Sequence, residues 1–277
     1  MTIQDFALAK KQHRKLVMVT AYDAPTAELL EQVGVDMILV GDSVGMVLLG
    51  YPSTAEVTMD EMLHHAKAVR RGAPKSFVVG DLPLKGIENG PKHALLSARR
   101  FIEEAGCQAV KLEWNHFSLE TARLLKKEGI PVIGHIGLTP QTAEKEGGYK
   151  VRGQEADKAA ALIKNALELE KEGAFSILLE CVPVPVAKMT TKQLHVPTIG
   201  IGAGPACDGQ VLVFHDIVGG FKKFKPRFVK SYADANLVMR KAVEKFAREV
   251  RSGVFPQKKQ TFDMKPGEEA RLHQILK

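Results

Sequence analysis

The chain has 277 residues, of which 45% are hydrophobic and 26% charged, and its formal net charge at pH 7 is +7. This composition is ordinary for a globular protein. No apolar stretch approaches the ~20 residues needed to span a bilayer, and residues 1–15 lack the apolar region of a secretory signal, so we expect neither a membrane span nor a signal.

The excess positive charge lies largely in two basic stretches near the ends, 10–15 and 222–230. Aromatic residues make up only 6% and the chain has no zinc-finger or RNP-like pattern, so the charge indicates attraction of acidic metabolites rather than nucleic-acid binding. The three cysteines, Cys107, Cys181 and Cys207, are widely spaced and form no CxxC motif. This usage predicts free thiols and a cytoplasmic location.

Strands and helices alternate along the chain. The apolar runs that predict strands are 16–20, 36–40, 76–80, 109–113, 131–135, 175–180, 197–201 and 211–214. Continuous runs of this length are typical of strands buried on both faces of a parallel sheet. The amphipathic stretches that predict helices are 24–33, 58–71, 91–105, 118–128 and 155–172.

The ends of these helices also carry signals. Asp23 is a good N-cap, and Thr58 with Glu61 has the capping-box spacing. Five glycines follow the helical stretches, where a left-handed residue fits best: Gly34, Gly72, Gly106, Gly129 and Gly173.

Eight strands alternating with helices is the element count of a (β/α)8 TIM barrel. A doubly wound open sheet is the alternative, but it would normally carry GxGxxG after its first strand. Here the first strand runs into TAYD (20–23), which has no glycine. We therefore expect one barrel domain over residues 1–255, followed by a polar C-terminal tail over 256–277.

An ionisable residue ends each of five runs, 37–42, 77–81, 109–113, 131–135 and 176–180; these residues are Asp42, Asp81, Glu113, His135 and Glu180. The C-terminal ends of barrel strands meet at one face, where active sites are built. Two carboxylates that converge there, such as Asp42 and Asp81, would repel each other unless a cation lay between them, and a hard ion such as Mg²⁺ suits them. The alternative is that each aspartate caps the following helix.

Lys111 and Glu113 lie two residues apart on one predicted strand, so both side chains point to the same face. Lys111 could form a Schiff base with a carbonyl substrate, or stay protonated and pair with a substrate oxygen. Neighbouring acids and a metal favour the protonated form.

Glu180 is flanked by SILL and CVPVP, which predict a desolvated carboxylate suited to a general base. His135 is more simply a supporting residue that pairs with a neighbouring acid. Two glycine-rich segments follow strands: 146–153 indicates a mobile lid, and 200–210 fits either tight turns or a ligand cradle.

Longer motifs resemble those of the ketopantoate hydroxymethyltransferase family. They are VTAYDAPTAELL (19–30), VDMILVGDSVGMVLLGYPSTAEVTMDEMLHHAKAV (35–69), VVGDLP (78–83), AVKLE (109–113), PVIGHIGLTPQ (131–141), GGYKVRG (147–153), LLECVP (178–183) and PTIGIGAGPACDGQVLVFHD (197–216). The resemblance implies a barrel of the phosphoenolpyruvate mutase type and a homodecamer. It also implies transfer of a hydroxymethyl group from 5,10-methylenetetrahydrofolate to 3-methyl-2-oxobutanoate, giving 2-dehydropantoate in pantothenate biosynthesis.

The same resemblance implies roles for individual residues. Asp42, Asp81 and Glu113 would form the site of one Mg²⁺ per subunit. Ser43 and Lys111 would hold the keto acid, which Asp42 and Asp81 also bind, and Glu180 would accept the proton from C3. The expected intermediate is an enolate stabilised by Mg²⁺ and Lys111.

Three short stretches depart from the family's pattern, namely 88–91, 114–116 and 182–185, so the folate contacts stay unassigned. Two other functions remain open from the residues alone. One is a folate-independent carboligase or lyase that acts on another 2-oxo acid. The other is a non-catalytic barrel that senses keto acids, which the retention of the three acids, Lys111 and Glu180 disfavours.

Overall fold

The computed structural model describes residues 1–221 and 225–277, and its eight parallel strands close into a barrel in chain order. The strands are β1 (Leu16–Thr20), β2 (Met37–Val40), β3 (Val78–Asp81), β4 (Ala109–Glu113), β5 (Val132–Gly137), β6 (Ser176–Glu180), β7 (Thr198–Ile201) and β8 (Gly209–Leu212). Pairing of β1 with both β2 and β8 closes the ring. The predicted barrel is thereby confirmed, and the open doubly wound sheet is excluded.

Helices surround the barrel and extend past it. They are α1 (Ile3–Lys11), α2 (Ala24–Val33), α3 (Met59–Gly72), α4 (Leu84–Ile87), α5 (Pro91–Glu103), α6 (Ser118–Lys127), α7 (Ala156–Lys171), α8 (Val184–Gln193), α9 (Phe214–Val218), α10 (Ala235–Arg251) and α11 (Glu268–Ile275). Among the described residues, no helix is long and apolar enough to cross a membrane. Of the basic stretch 222–230, residues 222–224 lie outside the described part of the chain.

The last strand lies two residues earlier than predicted. We expected 211–214, but β8 begins at Gly209, and Phe214 starts α9. A side chain at Gly209 would come within 2.6 Å of the Leu16 carbonyl oxygen, so only glycine allows β8 to approach β1 this closely. The next residue, Gln210, is polar and exposed, so the start of β8 is not part of an apolar run in the sequence.

The predicted N-caps are confirmed: Asp23 accepts from the backbone of α2, and Thr58 forms a capping box with Glu61. Four of the five predicted helix-closing glycines have left-handed backbones, namely Gly34, Gly106, Gly129 and Gly173. The prediction for Gly72 was wrong, since it is the last residue of α3 and has no left-handed backbone. A side chain at Gly72 would lie 2.1 Å from the Ala24 carbonyl oxygen, so this glycine lets α3 pack against α2.

Helix α1 closes the N-terminal end of the barrel. Phe6 is fully buried, and its ring centroid lies 4.8 Å from that of Phe77 and 5.8 Å from that of Phe175. Phe77 and Phe175 stand immediately before β3 and β6, so the three rings fill the opening at the strand starts. Aromatic contacts of this kind add to the large area that each ring buries.

We predict that Phe6→Ala will destabilise the protein by about 3–5 kcal/mol, because it removes the central ring of this cluster and leaves a cavity. The free energy of unfolding from urea titrations measures the effect. Leu8→Ala is the matched control, since Leu8 lies on the same helix but is 49% exposed. Equal losses for the two variants would show that α1 does not seal the barrel.

Candidate active site

A cavity of about 360 Å³ opens at the C-terminal ends of the strands, where barrel enzymes carry their sites. It is lined by all of the ionisable residues singled out in the sequence, namely Asp42, Asp81, Lys111, Glu113, His135 and Glu180, together with Ser43. Strand register explains this convergence. Asp81 stands beside Lys111 across β3 and β4, and Glu113 stands beside His135 across β4 and β5.

Asp42 and Asp81 are buried and adjacent. The backbone N–H of Asp42 donates to Asp81 Oδ2 over 3.0 Å, and Lys111 Nζ lies 2.7 Å from Asp81 Oδ1. Burial and the negative charge of Asp42 raise the pKa of Asp81, and the charge of Lys111 opposes only part of this rise. One lysine therefore does not fully offset the repulsion between the two buried carboxyl groups.

Lys111 is held in its protonated form. Burial would lower the pKa of its ammonium, but the charges of Asp81, Asp42 and Glu113 outweigh burial and raise that pKa. A nucleophilic lysine needs the opposite shift. The surroundings of Lys111 therefore favour pairing with a substrate oxygen over Schiff-base chemistry.

The buried acids fit a hard cation. Glu113 Oε2 is buried and accepts no hydrogen bond from the described residues, and burial raises the pKa of this carboxyl group despite the opposing effect of His135. In residues 1–221 and 225–277, no group of three or more His, Cys, Asp or Glu side chains is arranged to hold an ion alone. Mg²⁺ commonly takes one or two carboxylates and completes its six ligands with water and substrate, which suits this arrangement.

Gln141 holds two of the acids in place, a role that sequence reasoning missed. Its side-chain Nε2 donates to Asp42 Oδ2 over 2.8 Å and to the Leu82 carbonyl over 2.9 Å. Its backbone N–H donates to Glu113 Oε1 over 3.0 Å. The only sequence signal was a polar residue shortly after β5, inside the LTPQ segment. Residues from the loop after β2, from β4 and from the loop after β5 thus form one hydrogen-bonded unit.

His135 lies on β5, between Glu113 on β4 and Glu180 on β6. Its Nδ1 is 3.4 Å from Glu113 Oε2 and 3.3 Å from Lys111 Nζ, while Nε2 is 3.3 Å from Glu180 Oε2. Burial and the charge of Lys111 lower its pKa, but the close contacts with the carboxyl groups of Glu113 and Glu180 prevail and raise the pKa to about 9. The ring therefore contacts both carboxyl groups, as expected of a supporting residue, and its exact role stays a prediction.

Glu180 stands apart from the other acids at the end of β6. Its side chain is 16% exposed and contacts His135 on one side and the cavity on the other. The next residue, Cys181, has φ = 48°, a left-handed backbone that few non-glycine residues adopt. Its carbonyl accepts the Arg152 N–H over 2.9 Å, which ties segment 146–153 to the end of β6.

Tyr22 is a second residue that the sequence did not reveal as part of the site. Its hydroxyl lies 2.8 Å from Ser43 Oγ, and either oxygen can donate. Burial raises the pKa of this phenol, which keeps Tyr22 neutral. A π-helix, Gly45–Leu49, begins two residues after Ser43, and such irregular turns are frequent at functional sites.

Segment 146–153 lies at the mouth of the cavity. Tyr149, Lys150 and Val151 line the mouth, and the Tyr149 hydroxyl is 3.9 Å from Met46 Sδ, on the π-helix. The position suits a lid, and its mobility stays a prediction. From the other glycine-rich segment, 200–210, Ile201 lines the cavity.

The three departures from the family's pattern lie away from the cavity lining. In 114–116, Asn115 accepts from the Phe117 N–H and shapes the turn before α6. In 182–185, Pro183 and Pro185 stand at the start of α8, where proline is tolerated. These stretches leave the acids and Lys111 undisturbed.

Known proteins match the chain over nearly its full length. A family model described as ketopantoate hydroxymethyltransferase matches residues 1–258. The 3-methyl-2-oxobutanoate hydroxymethyltransferase of Thermus thermophilus is 53% identical over 261 residues, covering 94% of this chain and 99% of the relative. The enzyme of the same name from Acetivibrio thermocellus is 48% identical over 261 residues, covering 94% of this chain and 92% of the relative.

Solved structures share the fold at low sequence identity. Phosphonopyruvate hydrolase has a TM-score of 0.62 at 14% identity, covering 100% of this chain and 97% of its own. 2,3-Dimethylmalate lyase, a PEP mutase/isocitrate lyase superfamily member, has a TM-score of 0.61 at 15% identity. The match covers 99% of this chain and 95% of that structure's chain. These likenesses confirm the predicted barrel type and carry no functional argument.

We predict that Lys111→Met will destabilise the metal-free protein by about 3–5 kcal/mol, because removal of one partner leaves buried Asp81 without its cation. Urea unfolding at neutral pH measures the loss. Lys67→Met is the matched control: Lys67 pairs with Glu104 at the surface, where 41% and 39% of the two side chains are exposed, and should leave the free energy of unfolding near the wild-type value. Similar losses would contradict the assignment of Lys111 as the main counter-charge.

Proposed function

Since the chain belongs to the ketopantoate hydroxymethyltransferase family, we propose that its cavity uses 5,10-methylenetetrahydrofolate as the one-carbon donor and a divalent cation, Mg²⁺, as cofactor. The protein is a hydroxymethyltransferase of pantothenate biosynthesis that converts 3-methyl-2-oxobutanoate to 2-dehydropantoate. The observation that carries the mechanism is a buried cluster of three carboxyl groups with one protonated lysine, beside a separate carboxyl group that lines the same cavity.

The keto acid binds at the cluster. Asp42 and Asp81 would hold the cation, with Glu113 beside them, and the bound cation would polarise the keto group and acidify the C3–H. Lys111 lies beside Asp81 and binds an oxygen of the keto acid. Ser43 donates to the substrate, and its hydroxyl is oriented by Tyr22.

Glu180 removes the proton from C3. Its carboxylate reaches the cavity from β6, across from the acids of β2 to β4, so it approaches C3 from the side away from the cluster. The charged Lys111 ammonium stabilises the negative charge that develops on the enolate oxygen. His135 contacts Glu180 and holds the carboxylate in position.

The carbon–carbon bond then forms between C3 and the one-carbon unit. Water releases the methylene group of the folate at the oxidation level of formaldehyde, which gives tetrahydrofolate and requires no oxidant. The enolate carbon attacks this carbon, and the new alkoxide takes up the proton held by Glu180. The hydroxyl of the product therefore derives from water, and Glu180 returns to its starting state.

We also propose a cytoplasmic homodecamer. Three free cysteines support the location. Apolar side chains exposed along α10, namely Val238, Met239, Val243 and Phe246, support an interface with other copies of the chain on this helix.

We predict that EDTA will abolish product formation and that added Mg²⁺ will restore it, because the cluster needs a cation to hold the keto acid. Product formation is also measured with and without the folate donor, to test whether the reaction requires folate. Activity that survives chelation would remove the metal from the mechanism. Product formed without folate would instead indicate a folate-independent carboligase.

We predict that Glu180→Gln will slow C3 proton exchange by about 10²- to 10⁴-fold, because the amide cannot accept the proton. NMR in deuterated water with Mg²⁺ and 3-methyl-2-oxobutanoate measures the exchange, and calorimetry checks that the keto acid still binds. Glu120→Gln, an identical change on the exposed face of α6, should exchange at the wild-type rate. An unaltered rate in Glu180→Gln would exclude Glu180 as the base.

A further inference from the structure

The cavity has a second half that the keto acid does not require. Beyond Glu180, its walls are apolar and come from the β7 and β8 side, with Ile201, Val211, Val213 and Phe228 among the lining residues. One acid, Asp216, stands among them on α9. An acid in apolar surroundings is costly unless it has a partner.

Asp216 has no hydrogen-bond partner for its carboxyl group among the residues that the structure describes. It is half-buried, and its carboxylate accepts no hydrogen bond from any residue in 1–221 or 225–277. Burial raises the pKa of this carboxyl group against the opposing charge of Lys225. Two acceptor oxygens thus face the cavity and are free to bind a ligand that carries hydrogen-bond donors.

The keto acid cannot be that ligand. 3-Methyl-2-oxobutanoate offers only acceptor oxygens and would be repelled by a carboxylate. A pterin, by contrast, presents the N3–H and the 2-amino group side by side, and two parallel donors match a carboxylate in a bidentate pair.

The wall beside Asp216 offers a ring surface. Gly202 has a left-handed backbone, and a side chain there would come within 2.8 Å of the Phe228 ring and 3.3 Å of Cys181 Sγ. The absence of a side chain at Gly202 therefore lets Phe228 pack against the end of β7 and line the cavity. An aromatic wall of this kind suits a flat heterocycle.

The mouth of the cavity carries positive charge. Lys150 and Arg227 are exposed, and both line the same cavity. The cavity thus carries the acceptor oxygens of Asp216 inside and the cations of Lys150 and Arg227 at its mouth. A folate has the complementary order, with a donor edge on the pterin and carboxylates on the glutamate tail.

We propose that Asp216 binds the N3–H and 2-amino group of the folate pterin, with Phe228 against the ring and the glutamate tail directed towards Lys150 and Arg227. This assignment rests on the proposed folate-dependent function and adds the location of the donor to it. The methylene carbon would then approach C3 of the keto acid from the β7 and β8 side of the cavity.

The test compares tetrahydrofolate with its 2-desamino analogue as inhibitors of the Mg²⁺-loaded protein in the presence of 3-methyl-2-oxobutanoate. In the wild type, loss of the 2-amino group should raise Ki about 10- to 100-fold, the effect of one charge-assisted hydrogen bond. In Asp216→Ala, the Ki values of the two inhibitors should agree within about twofold, because no carboxylate remains to accept a hydrogen bond from the 2-amino group.

Two further variants make the result specific. Asp216→Asn keeps the shape of the side chain but removes its charge, so it should show a smaller ratio of the two Ki values than the wild type, even should the alanine variant fail to fold. Asp23→Asn removes a nearby charge while asparagine still caps α2, and it should keep the wild-type ratio of the two Ki values.

An equal penalty for the desamino analogue in wild type and Asp216→Ala would overturn the assignment, as would a rise in KM for the keto acid as large as that for the folate. Failure of the proposed function is separately visible, since wild-type protein would then form product without any folate.

Discussion

Burial of negative charge at one end of the barrel is the constraint on which the rest of the site depends. Asp42, Asp81 and Glu113 are each less than 7% exposed, and Lys111 is the lysine beside them. Burying carboxylates is expensive unless donors and cations surround them. Donors from Gln141 and from the backbone of Asp42, together with the nearby His135 ring, meet that need in part. We propose that a cation and its chelating acid meet the rest.

The same constraint separates binding from proton transfer. A carboxylate that ligates a cation is held deprotonated and is a weak base, so the proton acceptor has to stand elsewhere. Glu180, the proposed proton acceptor, lies on β6, two strands away from Glu113. His135 on the intervening β5 contacts both carboxyl groups and would hold Glu180 away from the proposed cation. The order of strands around the barrel thus distributes the chemical roles.

Much of this was predictable from sequence because buried parallel strands are continuous apolar runs, and their last residues meet at one face. The strand-end acids, Lys111 and His135 follow from that rule alone. Gln141, Tyr22 and Asp216 do not, since their positions depend on which loops fold over the cavity. Gly72 and the start of β8 were misjudged because close backbone approach, rather than periodicity, decides them. The boundary at residue 255 stays a prediction.

The cluster of Phe6, Phe77 and Phe175 has a consequence for the order in which substrates bind and products leave. Because the N-terminal end of the barrel is filled, the cavity communicates with solvent through the mouth beside Tyr149 and Met46. A small acid seated on the strand ends lies below a folate held nearer that mouth on the proposed arrangement. On that arrangement the acid would enter before the folate, and its product would leave after the folate, through the same mouth.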